Sequence, residues 1–288
     1  MPLLPPHWIR TTAVVLLVGV GACDGSAPAK PSPPSLTGRI VFTAGNDPRL
    51  FAMNADGSDL ADLPIRLSGN LATPTVSPDG FRVAFARQND VYVAETDGSR
   101  VMQITSAAEP DANPEWSPVR EEIVFESTRS GNGDLYIVSS AGTELRQLTD
   151  TPAWEELGGW SPDGERIVFA YDAGEGFQLA TIRRDGTDRA DIPTMNGGRG
   201  PAWSPDGVHI AYLSGEDNWL HVIEVSGAND RPLMTSGPTR TRPKWSPDGT
   251  LILFQETGAG IGVIGADGTG LQALPTGSLS ASSPTWGP

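Results

Sequence analysis

One short phrase recurs along this chain of 288 residues at a nearly fixed interval. "WSPDG" is complete at 160–164, 203–207 and 245–249, reads "VSPDG" at 76–80 and "WSPVR" at 116–120, and is clipped to "WGP" at 286–288. The residues ahead of Ser-Pro or Gly-Pro are Val76, Trp116, Trp160, Trp203, Trp245 and Trp286, spaced by 40, 44, 43, 42 and 41 residues. A second phrase keeps step: "ADGS" 55–58, "TDGS" 96–99, "SAGT" 140–143, "RDGT" 184–187, "SGAN" 226–229 and "ADGT" 266–269. Two independent markers with one period restrict the chain to six copies of one supersecondary unit, each covering its neighbour.

Each unit holds four short apolar runs between turn residues. In the third they are "NPEW" (113–116), "EIVFES" (122–127), "LYIVS" (135–139) and "LRQLT" (145–149). β-Branched and aromatic runs bounded by Gly, Pro and Asp read as strands. The run "IVF" at 123–125 and 167–169 does not alternate, which suits sheets covered on both faces. Four strands per repeat of about 42 residues is the period of a β-propeller blade. The expected fold is all-β, a six-bladed propeller of four-stranded antiparallel blades. The first folded run, "RIVF" (39–42), matches a second strand, and the last, "SPTW" (283–286), matches a first strand. The C-terminus is therefore expected to supply the innermost strand of the first blade, which removes two open sheet edges.

The phrases themselves read as turns. Proline fixes φ for the first central turn position, aspartate bonds its own backbone, and glycine takes the positive φ that closes the turn. The decay of the phrase at Val119-Arg120 and Ser226-Gly227 fits a structural role. With its "P-x-W-S-P-D-G" units over residues 39–286, the chain resembles the TolB-type propellers. No Trp-Asp dipeptide ends its strands, so it does not resemble the WD-repeat class. The family's namesake carries an α/β domain before its propeller, whereas only a short tether separates Cys23 from the first strand here. Similar repeats occur in the propeller domains of some serine peptidases and in a pectin-fragment lyase. The resemblance implies the fold more firmly than any one role.

The N-terminus reads as a targeting segment. One cation, Arg10, precedes the 12-residue apolar run "TTAVVLLVGVGA" (11–22). That run is shorter than the roughly 20 residues a membrane span needs and fits a signal-peptide core. It leads directly into the chain's one cysteine, Cys23. Val20, Gly21, Ala22 and Cys23 resemble a bacterial lipobox, which implies cleavage before Cys23 and lipidation of it; the alternative is an ordinary secretory signal. The segment "DGSAPAKPSPPSL" (24–36) has four prolines and no aromatic residue, the composition of a tether. The expected organisation is a signal peptide at 1–22, a lipidated Cys and tether at 23–37, and the propeller at 38–288. Lipid chains on Cys23 would hold the protein on a membrane, in the periplasm or at the cell surface.

Charge narrows the partners. Twenty Lys and Arg face 35 Asp and Glu, a net charge of −15, which argues against nucleic acid. The connections opposite the marker turns vary in sequence, and function concentrates in such loops. Acidic residues Glu109, Asp111, Glu115, Asp150, Glu155 and Glu156 surround the third and fourth units, and Arg199, Arg240, Arg242 and Lys244 enter the fifth and sixth. Trp154 and Trp219 fall in loops. Exposed Trp and Arg are common interface anchors, so Trp154, Glu155, Arg199, Trp219, Arg240 and Arg242 are the expected partner-binding rim. The alternative is a solvated acidic surface with Trp154 folded over a blade edge. Glu115 and Lys244 stand three blades apart, each just before a marker, and are expected to face each other across the channel, either meeting or framing a ligand.

Catalytic signatures are missing from the sequence. It has no G-x-S-x-G, H-E-x-x-H or phosphate loop. His209 and His221 fall in strands and form no zinc set. No cofactor is expected; a weak calcium site in an Asp/Asn loop such as "GEDN" (215–218) is the one metal alternative. The leading reading is a non-catalytic, lipid-anchored, extracytoplasmic scaffold that binds a protein, peptide or glycan of the cell envelope. The alternative is a carbohydrate-active, lyase-like enzyme using Arg and acidic residues at the channel mouth.

Overall fold

In a computed structural model, residues 35, 37–45, 48–172, 174–234, 243–256 and 260–288 are described. The expected signal peptide, Cys23, most of the tether, and Arg240 and Arg242 lie outside these residues. The described chain forms 24 strands and six four-stranded antiparallel sheets. Five blades are sequential, each running from inner to outer strand. The first is composite: β24 (Ala281–Trp286) lies inside β1 (Arg39–Ala44), followed by β2 (Arg49–Asn54) and β3 (Ala61–Asp62). β24 pairs antiparallel with β1, Ile40 opposite Trp286 and Ala44 opposite Ala281. Beyond the strand, Gly38 N donates to Pro288 O at 2.8 Å and Gly287 N to Arg39 O at 2.6 Å. The ring is closed by the chain's two ends, as its strand order requires.

The unalternating apolar runs acquire a reason. Each described seam between adjacent blades holds its own apolar cluster. In β1, Ile40 and Phe42 enter the seam with blade six while Val41 enters the seam with blade two. Alternating side chains meet two different apolar faces, so every position in "RIVF" can be apolar. The core is thus six wedges around a channel, with the inner strands β4 (Leu71–Val76), β8 (Asp111–Trp116), β12 (Trp154–Trp160), β16 (Gly198–Trp203), β20 (Lys244–Trp245) and β24 nearest the axis.

The marker turns are held by one device. In "SPDG" the serine hydroxyl donates to the aspartate two residues on and accepts the backbone N–H five residues on. Ser161 Oγ meets Asp163 Oδ1 at 2.5 Å and Arg166 N at 2.9 Å. Ser246 meets Asp248 at 2.6 Å and Leu251 N at 2.9 Å. In "WSPVR" Val119 replaces the aspartate, and Ser117 Oγ is buried with no hydrogen-bond partner. That loss is what a turn, rather than a reactive motif, would show. Three of the marker indoles bond a neighbouring blade: Trp160 Nε1 donates to Glu115 O at 3.0 Å, Trp245 to Ala202 O at 3.2 Å and Trp286 to Lys244 O at 3.2 Å, while Trp116 and Trp203 Nε1 are buried without a partner.

Candidate functional site

The residue before each marker points away from the indole set, into the channel. Thr75, Glu115, Gly159, Ala202, Lys244 and Thr285 line a cavity of about 330 Å3 on the rim of the marker turns, together with the marker residues and Pro78, Pro118, Pro162, Pro205 and Pro288. Lys244 of blade six reaches Glu115 of blade three, and its ammonium donates to Glu115 Oε1. Thr75 Oγ1 donates to the other carboxylate oxygen at 3.4 Å. The two side chains keep only 18% and 16% of their exposure. Of the two outcomes left open by sequence, they meet. They present charge to a ligand only by releasing each other.

The opposite rim carries the irregular loops. Trp154 is half exposed and lies over Gly133, where an added methyl would come 2.7 Å from the indole. Two residues along β12, Glu156 Oε2 accepts Arg199 Nη2 of β16 at 2.9 Å. The Arg199 guanidinium stands 4.7 Å from the Phe177 ring centroid. Trp154 therefore leans toward blade three and Arg199 faces the seam of blades four and five, so the two flank the outer end of β12. Trp219 is half-buried, its N–H held by Asp217 at 2.9 Å. Glu109 and Asp150 are exposed, and Met195 in the loop before β16 is 88% exposed.

Glu155 departs from the expected surface position. It is fully buried, as are Asp111 and Asp134. Strand alternation turns it away from Glu156 and, with Leu157, into the seam with blade three. Its N–H donates to Gly133 O at 2.8 Å. Thr151 Oγ1 donates to Oε1, and Thr149 Oγ1 lies 3.4 Å from Oε2. Asp134, the first residue of β10 (Asp134–Ser139), is joined to it through Thr149, whose Oγ1 lies 3.4 Å from Asp134 Oδ1 as well. Burial pushes the Glu155 carboxyl up to about 7; the neighbouring Asp134 pushes the same way, against the Thr151 hydrogen bond.

The previous seam repeats this geometry with a different outcome. Asp111 occupies the place of Glu155, five residues before the marker, and its N–H donates to Asn89 O at 2.7 Å. Asp90 takes the place of Asp134, and burial raises its carboxyl. Thr105 and Thr149 bond the backbone of Val91 and Leu135 at 2.9 Å in both seams. But Arg129 grips both Asp111 oxygens at 2.7 Å. No cation among the described residues lies within ion-pair distance of Glu155. The signal for these residues was an acid five before the marker in two units where the other four have Leu71, Gly198, Arg240 and Ala281; its meaning depended on a partner blade.

The histidines take structural places. His209 Nδ1 is 3.3 Å from Asp206, and His221 Nδ1 is 3.1 Å from Asp230, which also accepts Tyr212 Oη at 2.8 Å. Among the described residues no three His, Cys, Asp or Glu side chains are grouped to hold a metal ion.

Comparison with known proteins follows the fold. Residues 36–288 match the family model of the TolB beta propeller domain. The structure is similar to that of TolB from Acinetobacter baumannii, with 21% identity, a TM-score of 0.76, and coverage of 89% of this chain and 68% of that one. It is similar to a putative TolB from Agrobacterium tumefaciens, with 18% identity, a TM-score of 0.69 and coverage of 82% and 88%. An oligogalacturonate lyase from Vibrio parahaemolyticus shares the fold at 12% identity and a TM-score of 0.60, over 84% and 76% of the two chains. No curated protein sequence matches significantly.

Proposed function

Since this chain belongs to the TolB beta propeller domain family, we propose that it is a lipid-anchored, extracytoplasmic scaffold of the cell envelope that captures a protein, peptide or glycan at its irregular rim. The observation that carries this reading is that an exposed Trp154 and an Arg199 presented on Phe177 and Glu156 flank β12 on adjoining inner strands. Aromatic and arginine side chains held rigidly at a surface are the usual energetic anchors of an interface. Arg240 and Arg242, from the loop entering blade six, belong to the same proposed rim.

The attachment of the tether supports this direction. Ser35 and Thr37 lie against Gly80 of a marker turn, where an added methyl would meet Thr37 Oγ1 at 2.7 Å. The described residues just before β1 thus lie on the marker rim, opposite the irregular loops. Cross-linking capture from envelope extracts is the test. Trp154→Ala and Arg199→Glu should each remove the captured species, while Phe81→Ala on the marker rim should keep it. Equal capture by all three would refute the rim assignment. Cys23→Ser should move the protein from the membrane to the soluble fraction; a membrane-bound variant would count against the anchor.

A second reading, a lyase-like carbohydrate enzyme, draws on Lys244 and Glu115 in one cavity, a cation beside a potential base. Incubation with acidic oligosaccharides, with Lys244→Met as control, tests it by the appearance of unsaturated products.

A further inference from the structure

The buried acids at the seam of blades three and four have no part in the binding reading. We propose that this seam is a proton switch: one proton held between Glu155 and Asp134 keeps the Trp154 loop closed on blade three, and its release loosens that loop and resets the rim beside Arg199. The effect on binding rests on the rim reading above; the switch itself does not.

The contacts define what the proton secures. The stretch 149–155 is tied to blade three by Thr149 Oγ1, which accepts Leu135 N at 2.9 Å and lies 3.4 Å from both Asp134 Oδ1 and Glu155 Oε2, and by the Glu155 N–H to Gly133 O. From the other side Asn132 Nδ2 donates to Thr151 O at 2.9 Å and Ala153 O at 2.6 Å. Trp154 lies on Gly133 between these two sets. These contacts on either side of the indole all lie within a few residues of one buried carboxyl.

The groups facing Glu155 decide its charge. On β10 the facing group is Asp134, whose Oδ2 accepts Ser130 Oγ and Gln147 Nε2. On β13 (Arg166–Asp172) it is Tyr171, directly opposite in register. Beyond the Tyr171 ring stands Arg189, 4.1 Å from the centroid and 3.9 Å from Asp191. On β9 (Glu122–Ser127) it is Glu126, which accepts Leu157 N at 2.7 Å. Arg129, in the loop that follows, is spent on Asp111. Acid faces acid on the nearest element, and Arg189 is shared with an aromatic ring and Asp191. With the proton, one acid donates to the other. Without it, two buried carboxylates repel across the seam, and water must enter to solvate them.

The sister seam serves as an internal control. There Arg129 supplies a permanent charge to Asp111, so the equivalent joint between Asp111 N and Asn89 O holds without a shared proton. One propeller therefore contains one version of the joint held by a permanent charge and one without it.

Hydrogen exchange of the full chain at 148–156, corrected for the intrinsic pH dependence of exchange, tests this from about pH 5 to about pH 9. Wild type should lose about tenfold in protection per pH unit above a midpoint near neutrality. Glu155→Gln should give a flat profile. Asp134→Asn should move the midpoint toward the ordinary carboxylate range. The segment 105–113 of the sister seam should stay flat in all three. A flat wild-type profile, or a profile unchanged by Glu155→Gln, overturns the switch. If the exchange titrates while capture at the rim fails at every pH, the switch stands and the rim reading falls.

Discussion

Lys244 and Glu115 stand 129 residues apart and meet as an ion pair across the channel, blade six to blade three. The bar they form is a side-chain contact between opposite blades. It joins two halves of the ring across the channel.

Breaking this bar should be felt in stability. Lys244→Met leaves Glu115 with Thr75 as its hydrogen-bond partner in a half-enclosed cavity, at a cost of about 1–3 kcal/mol, below the range of a fully buried pair because the cavity is open to water. The double variant with Glu115→Gln should recover most of that loss. Urea denaturation in a double-mutant cycle measures it, and a single variant as stable as wild type would mean the pair contributes nothing net.

Closure by β24 gives a second test. Trp286 covers the seam of blades six and one and donates to Lys244 O at 3.2 Å. Trp286→Ala should cost about 2–4 kcal/mol. Deleting 279–288 should cost more, because it also bares one edge of β1 and the face of Ile40 and Phe42. Calorimetry should show a steep fall in Tm for the deletion; an unchanged Tm would mean the ring holds without its joint.

Stability should fall at both ends of the pH range. The hydrogen bonds from Ser161 and the Glu165 backbone hold Asp163 below the usual carboxylate range, and Ser246 and the Thr250 backbone do the same for Asp248. Depressed groups stabilise above their unfolded value, and that contribution disappears as pH falls through the folded one. Glu155 runs the other way. Raised from 4.5 to about 7, it stabilises fully below 4.5, and that contribution decays as pH rises to 7, by up to about 3 kcal/mol. Thermal melts should therefore show Glu155→Gln closing the gap between mildly acidic and mildly alkaline stability. Parallel curves for the two proteins would contradict this.

Two glycines separate strain from contact. Gly98 (φ 69°) and Gly270 (φ 68°) share a left-handed backbone, but a methyl at Gly98 would lie 2.3 Å from Pro64 O, whereas nothing lies within 4 Å at Gly270. Gly270→Ala should cost about 1 kcal/mol, the strain alone. Gly98→Ala should cost at least about 2 kcal/mol, since the joint with blade one must open. Equal losses in chemical denaturation would show that the Pro64 contact yields freely.

The sequence was sufficient for the ring. Blade number, strand order and closure are written in turns such as Ser161–Gly164, whose hydrogen bonds span five residues, and in runs such as Ile40–Phe42, which need only an apolar neighbour on each side. These are local or pattern-level requirements, and they repeat. The rim was only partly legible. Trp154 and Arg199 lie at the surface, and Glu115 faces Lys244, because strand alternation sets those directions. Alternation also turned Glu155 inward, but the side it entered became meaningful only with Asp134 opposite and Arg129 committed to Asp111. A buried carboxyl takes its charge from groups on another blade within a few ångströms. That proximity is created by curving the repeat into a ring, so the tertiary structure alone decided it.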